Sequence, residues 1–294
     1  MTDAGDLSLT TQRNVSVREH PRDPGYRSAG SLVPLVFVAL TIVAQIGYPL
    51  TTGGARDRIT VAIVLLCAGA AVAHATVTRG FRYAVGFLVI VSGIGLAAEV
   101  IGTATGMPFG CYSYATDRLG PALFDVPLII PLAWTGGMYP VWAVAGMLSR
   151  HTGARIMWTA AGAVGWDLFL DPQMVADGQW TWCDTSSGLP GLDWIPVTNY
   201  LGWFAVALVM GALLAIWERA APDPPRAGGQ AVALTVPVAL FLWTWLGSAL
   251  AHAVFLDLLP SAGYGFAGLA VLGVPLLVAA ARARRRPGAP RPVR

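Results

Sequence analysis

The stretch Tyr83-Ala-Val-Gly-Phe-Leu-Val-Ile-Val-Ser-Gly-Ile-Gly-Leu-Ala-Ala-Glu99-Val-Ile-Gly102 is twenty residues long and carries a single charge, Glu99, one turn from its end. A bilayer core about 30 Å thick takes roughly 20 mostly apolar residues in one helical crossing. The stretch therefore reads as a membrane-spanning helix with a carboxyl group near one end. Comparable runs, bounded by charges, Gly or Pro, fall at residues 31–50, 59–78, 126–148, 156–176, 198–217, 231–255 and 262–281. With the first they make eight crossings. Composition agrees: of 294 residues 55% are hydrophobic and only 12% charged, against about 25% charged in an average soluble domain. Mean hydropathy is +0.60. The expected fold is an all-α, polytopic transmembrane helix bundle. Residues 31–281 form its one domain, with a disordered tail at 1–30 and a basic tail at 282–294.

Basic residues set the orientation, because Lys and Arg are retained on the cytoplasmic side. Lysine is absent, so Arg decides. With the N-terminus inside, both tails and the loops at Arg79/Arg82, Arg150/Arg155 and Arg219/Arg226 are cytoplasmic, which places sixteen of the nineteen Arg inside. Arg56, Arg58 and Arg118 fall outside. Both termini are thus expected in the cytoplasm, and the net charge of +3 reads as a topology signal. The cluster Arg284-Arg285-Arg286 is read as the flank of the last span, and no nucleic-acid partner is expected. The polar first thirty residues do not resemble a cleavable signal peptide.

A charge inside the membrane costs several kcal/mol and marks a site by default. Glu99 lies near the end of the third span, and Asp167 and Asp171, four apart, share one face of the fifth. All three are expected near the outer side. Pro172 disfavours a helical Asp171, so Asp171 is expected at the helix end and Asp167 a turn deeper. The loops that follow these helices are long, aromatic and rich in turn residues. One holds Phe109, Cys111, Tyr112 and Tyr114; the other holds Trp180, Trp182, Cys183, Asp184 and Trp194 and leads to Asn199 and Trp203. Irregular backbone at membrane depth survives only where protein or a cavity covers it, so the two loops are expected to fold over a pocket. A belt of headgroup-level aromatics is the alternative. Cys111 and Cys183 share the outer side, which leaves a disulfide open.

Several other patterns carry less. Gly263-Tyr-Gly265-Phe-Ala-Gly268 fits the dinucleotide-binding string but opens a membrane helix and follows no strand. The four histidines are scattered singly, with none of the clustering that holds iron; His74 and His252 read as interhelical hydrogen-bond partners. Magnesium-binding acids of the prenyltransferase kind need a second acidic cluster and basic residues for a diphosphate. The cysteines show no metal-ligand spacing. No metal and no cofactor are expected.

Five blocks, in order, carry a resemblance: Glu99-Val-Ile-Gly102-Thr-Ala-Thr-Gly106-Met-Pro108-Phe109-Gly110-Cys-Tyr112-Ser-Tyr114; Val126-Pro127-Leu-Ile-Ile-Pro131-Leu-Ala-Trp134; Trp166-Asp167-Leu-Phe-Leu-Asp171-Pro172; Trp180-Thr-Trp182; and Ile195-Pro196-Val-Thr-Asn199-Tyr-Leu-Gly202-Trp203. Together they resemble the carotenoid biosynthesis membrane-protein family, which includes carotenoid 1,2-hydratases and bisanhydrobacterioruberin hydratase. Ser186 to Trp194 departs from the family pattern. The resemblance implies addition of water to the terminal C1=C2 bond of an acyclic carotenoid, giving a tertiary alcohol with no cofactor. A carboxyl group protonates C2, aromatic faces steady the cation at C1, and a second carboxylate polarises the water. Glu99 and Asp167, with Asp171 in reserve, take the acid and base roles. Phe109, Tyr112, Tyr114, Trp134, Trp166, Trp180, Trp182, Asn199 and Trp203 line the substrate site. The partners implied are the lipophilic carotenoid, water and the bilayer, in the plasma membrane of a bacterium or archaeon. Cyclisation of the same end group starts with the same protonation and is one alternative. A transporter with intramembrane acids is another, although no internal repeat is evident.

Overall fold

The computed structural model describes residues 29–221 and 230–285. The helices are α1 (Ala29–Gly47), α2 (Gly53–Arg79), α3 (Phe81–Thr105), α4 (Ile130–Leu148), α5 (Thr152–Ala176), α6 (Val197–Ala220), α7 (Gln230–Leu242), α8 (Ser248–Val254) and α9 (Leu259–Arg285). A 3₁₀ turn, Tyr48–Leu50, extends α1, and a π-helical turn, Trp243–Gly247, joins α7 to α8 as one span. The chain is therefore an all-α polytopic bundle. By length and composition, six helical segments can cross a membrane: Leu32–Leu50, Gly53–Arg79, Phe81–Thr105, Val197–Ala220, Leu234–Val254 and Leu259–Ala283. The tails expected at 1–30 and 282–294 lie mostly outside the described residues.

The other two of the eight expected segments, α4 and α5, are also helical but are built differently. They are the axis of the bundle: α4 packs on α2, α3, α5, α7 and α9, and α5 on α4, α6, α8 and α9. Facing protein on most sides, they carry the polar groups that a lipid-facing helix excludes. The outer helices instead turn Val36, Val43, Val89, Val209 and Ile216 outward, all at least half exposed, as suits a lipid solvent.

Where α5 and α9 cross, a Cβ added at Gly165 would lie 2.7 Å from the Gly268 backbone. Small residues permit this approach, which is the usual means of association between membrane helices. At the end of α6 the Glu218 carboxylate accepts from Arg79 of α2, Arg155 of α5, Tyr83 and the Trp142 indole. This clamp ties five helices together, α2 to α6. His74 meets Tyr139 across α2 and α4 at 2.6 Å, and His252 of α8 meets Ser261 of α9 at 2.9 Å.

One expectation about α5 is corrected. Pro172 does not end the helix at Asp171; α5 continues to Ala176 with Pro172 inside it. A proline has no N–H for the carbonyl four residues back, and here that carbonyl, Leu168 O, accepts instead from the Ser261 hydroxyl at 2.7 Å. A neighbouring helix supplies the missing donor, which is how membrane helices tolerate internal proline.

Candidate functional site

The two aromatic loops form a small β-ribbon. Strand β1 (Tyr112–Tyr114) pairs antiparallel with β2 (Trp180–Trp182), in the register Tyr112 to Trp182, Ser113 to Thr181 and Tyr114 to Trp180. Side chains alternate across a strand, so the sequences Tyr-Ser-Tyr and Trp-Thr-Trp send four rings to one face and two hydroxyls to the other. The rings face inward, and Ser113 and Thr181 are exposed. A disulfide between Cys111 and Cys183, with Cα atoms 5.3 Å apart, closes the ribbon at one end. The segment Ser186 to Trp194 makes a second hairpin, β3 (Gly188–Leu189) with β4 (Leu192–Pro196), that leads into α6. Its turn is Pro190-Gly191, with the glycine at φ 77° as a turn with proline in second place requires.

Beneath the ribbon lie the three carboxyl groups, all within 5% of full burial. Glu99 accepts three hydrogen bonds: from the Tyr112 hydroxyl, from the Tyr114 hydroxyl at 2.8 Å and from the Trp134 indole at 2.9 Å. Burial, reinforced by the Glu99 carboxylate, pushes both tyrosine hydroxyls far above the ordinary phenol range, so they act as fixed donors. Asp171 also accepts three, from the Trp180 indole, the Trp182 indole at 3.1 Å and the Asn199 amide at 3.0 Å. Asp167 differs. Its Oδ2 accepts from the same Asn199 amide at 2.7 Å, and its Oδ1 is buried with no protein partner. None of the three carboxyls is in an ion pair among the described residues.

The carboxyls open onto one cavity of about 500 Å³, within the ~300–1,000 Å³ range that holds a drug-sized ligand. Phe109, Tyr112, Tyr114, Trp134, Trp166, Trp180, Trp182 and Trp203 all line it. Trp134 stacks on Trp203 with ring centres 3.8 Å apart, and Trp166 meets Trp203 edge-on at 5.4 Å. Of the expected site residues only Asn199 stays off the wall; it sits behind the two aspartates and joins them. Glu99 on α3 and the aspartates on α5 thus reach a common space.

Other lining residues did not stand out in the sequence. Gln45, Tyr48, Cys67, Gln173 and Trp243 lie in apolar runs or beside stronger signals. Gln173 was the most legible of them, an amide directly after the Asp171-Pro172 pair; it contacts His252 at 3.1 Å. Among the described residues no cluster of His, Cys, Asp and Glu is arranged to hold a metal ion. Both oxygens of Asp171 already accept from N–H donors.

Comparison with known proteins adds family evidence. The profile of the carotenoid biosynthesis protein family matches residues 59–273, most of the chain, including the three carboxyls and the aromatic residues around them. A bisanhydrobacterioruberin hydratase from Haloarcula japonica is 34% identical over 110 residues, 36% of this chain and 36% of that protein. The match thus spans about a third of the curated relative's length. No solved structure matches the chain.

Proposed function

This chain belongs to the carotenoid biosynthesis protein family, and from that membership we propose that it is a carotenoid hydratase, adding water across the terminal C1=C2 bond of an acyclic end group. The observation that carries the reading is the asymmetry of the buried carboxyls. Glu99 and Asp171 each receive three N–H or O–H donors, the surroundings of an ionised carboxylate. Asp167, which also lines the aromatic cavity, receives one donor and keeps a buried oxygen with no protein partner, the surroundings of a carboxylic acid with a proton to give. Three uncompensated charges in one apolar space would be very costly, and a proton held on Asp167 relieves that cost.

In the proposed reaction Asp167 transfers its proton to C2, and the π electrons of the alkene form the new C–H bond. The tertiary cation at C1 faces the indoles of Trp166 and Trp203 and the Trp182 ring, which stabilise it without reacting. Water adds to C1, and its surplus proton passes to a carboxylate of the Asp167–Asp171 pair. Asn199 donates to both aspartates and holds them in place, and uptake of that proton by the Asp167 carboxylate restores the acid. Atoms balance as alkene plus water gives alcohol, and no redox partner takes part.

The similarity to a bisanhydrobacterioruberin hydratase supports this reading. The polar corner formed by Asp167, Asp171 and Asn199 favours water as the nucleophile over an internal alkene. Membranes containing the protein, given an acyclic-ended carotenoid, should yield a product heavier by one water. A product of unchanged mass with a ring at its end would replace hydration by cyclisation, and no product with any acyclic-ended carotenoid would remove the reading. The orientation proposed places the ribbon and its disulfide on the outer side of a bacterial or archaeal plasma membrane, where an oxidising environment keeps such bonds formed.

A further inference from the structure

The cavity has two unlike arms. At the carboxyl end its walls are buried, with aromatic rings around the three carboxyl groups. The other arm runs between α1 and α2 on one side and the π turn and α8 on the other, and its walls reach the protein surface. Ile46 and Leu50 are 52% and 71% exposed, and Leu250 and Phe255 are 58% and 57% exposed, yet all four line the same cavity as Asp167. Helix packing explains the gap. α1 packs on α2 and α7, whereas α8 packs on α9 and α5, so the two spans meet at α7 and part toward α8. At the point of parting the Trp243 indole donates to the Gln45 side-chain oxygen at 2.6 Å.

We propose that this arm is a binding slot for the polyene chain, through which the end group slides from the lipid to the carboxyls, and that the Gln45–Trp243 bond closes the slot on the side away from the loops. The inference rests on the hydratase reading and adds where the substrate lies. A cavity of this size takes an end group and the adjoining polyene, so the rest of a long carotenoid must stay between the slot walls and the lipid. The slot is lined mostly by apolar side chains, aliphatic and aromatic, interrupted by the hydroxyls of Tyr48, Thr60, Thr244 and Ser248, and its one amide, Gln45, is already bonded, so it suits a thin, methyl-branched hydrocarbon. The π turn contributes geometry: a Cβ at Gly247 would come within 3.2 Å of the Trp243 ring. The indole thus rests on a bare stretch of helix and is aimed at α1. Such π turns recur at functional sites.

Two substrates with one end group separate the slot from the chemistry: a full-length acyclic carotenoid in proteoliposomes and a short acyclic isoprenoid that fits wholly inside the cavity. Leu250→Trp narrows the slot from α8, and Ile46→Trp narrows it from α1, so one survives if the other folds poorly. Each should lower kcat/KM for the carotenoid about 10-fold or more, the scale of overpacking an apolar site, with little change for the short isoprenoid. Val89→Trp, on an exposed face of α3 outside the cavity, should change neither. Trp243→Phe keeps the ring and removes the donor, and should shift the long-to-short ratio several-fold. Unaltered handling of the carotenoid by both slot variants would overturn the slot while leaving hydration standing. An unchanged ratio in Trp243→Phe would overturn its closing role. Failure of the unaltered protein on both substrates would instead remove the hydratase reading beneath the inference.

Discussion

Asp167 and Asp171 are one turn apart on α5 and share one amide, yet their surroundings assign them different consequences when altered. Asp171→Asn would leave an oxygen for one of the Trp180 and Trp182 indoles and aim an NH₂ group at the other, so the ribbon should loosen and thermal stability should fall by about 1–3 kcal/mol, the cost of a buried donor left unpaired. Asp167→Asn keeps an acceptor for Asn199 and removes only the transferable proton. It should fold nearly normally and lose hydration by about 10²-fold or more, as removal of a general acid commonly does. Measured together, turnover and melting temperature should split the two variants; equal effects on both would contradict the assigned roles. Glu99, Asp167 and Asp171 were legible as candidates because a carboxyl in an apolar run is anomalous by itself. Their distinction was not legible, since it depends on indoles from a loop nine to eleven residues further on and on an amide from the next helix.

The helices and the ribbon show where local sequence signals gave way to neighbours. Pro172 argues for a helix end when α5 is read alone, and Ser261 on α9 removes the reason. The pair can be tested as a cycle. Ser261→Ala should cost about 1–3 kcal/mol by orphaning the Leu168 carbonyl, but distinctly less in a Pro172→Ala background, where a backbone N–H can return to that carbonyl. Equal costs in the two backgrounds would mean that Ser261 acts elsewhere. The ribbon was hidden for a different reason: alternation over three residues, in Tyr-Ser-Tyr and Trp-Thr-Trp, is too short to announce a strand, and each half makes sense only once its partner is known. The Cys111–Cys183 bond spans 72 residues of chain, and replacing both cysteines by Ser should destabilise the protein by about 2–4 kcal/mol. A shift near zero in the unfolding midpoint would show that the ribbon holds without it.

Across the whole molecule, the six long apolar spans were legible because lipid imposes length and composition directly on the sequence. The interior of the bundle was not, since α4 and α5 face protein and their partners come from distant segments; the Glu218 clamp is the clearest case. The proposed orientation rests on Arg placement, and ion pairs bear on that count. Two of the three Arg that this orientation puts outside are in ion pairs, Arg56 with Asp177 and Arg118 with Asp57 and Asp177. Reporter fusions after Arg118 and after Asp184 should therefore read as external, and cytoplasmic readings at both would invert the proposed topology. The central claim is that buried carboxyls add water to an alkene, and labelled solvent tests it most directly. Membranes incubated with an acyclic carotenoid in deuterated, ¹⁸O-enriched water under ordinary air should give an alcohol with solvent deuterium at C2 and solvent oxygen at C1, and Asp167→Asn should suppress both labels together. Hydroxyl oxygen drawn from O₂, or full labelling by the Asp167→Asn variant, would contradict the account.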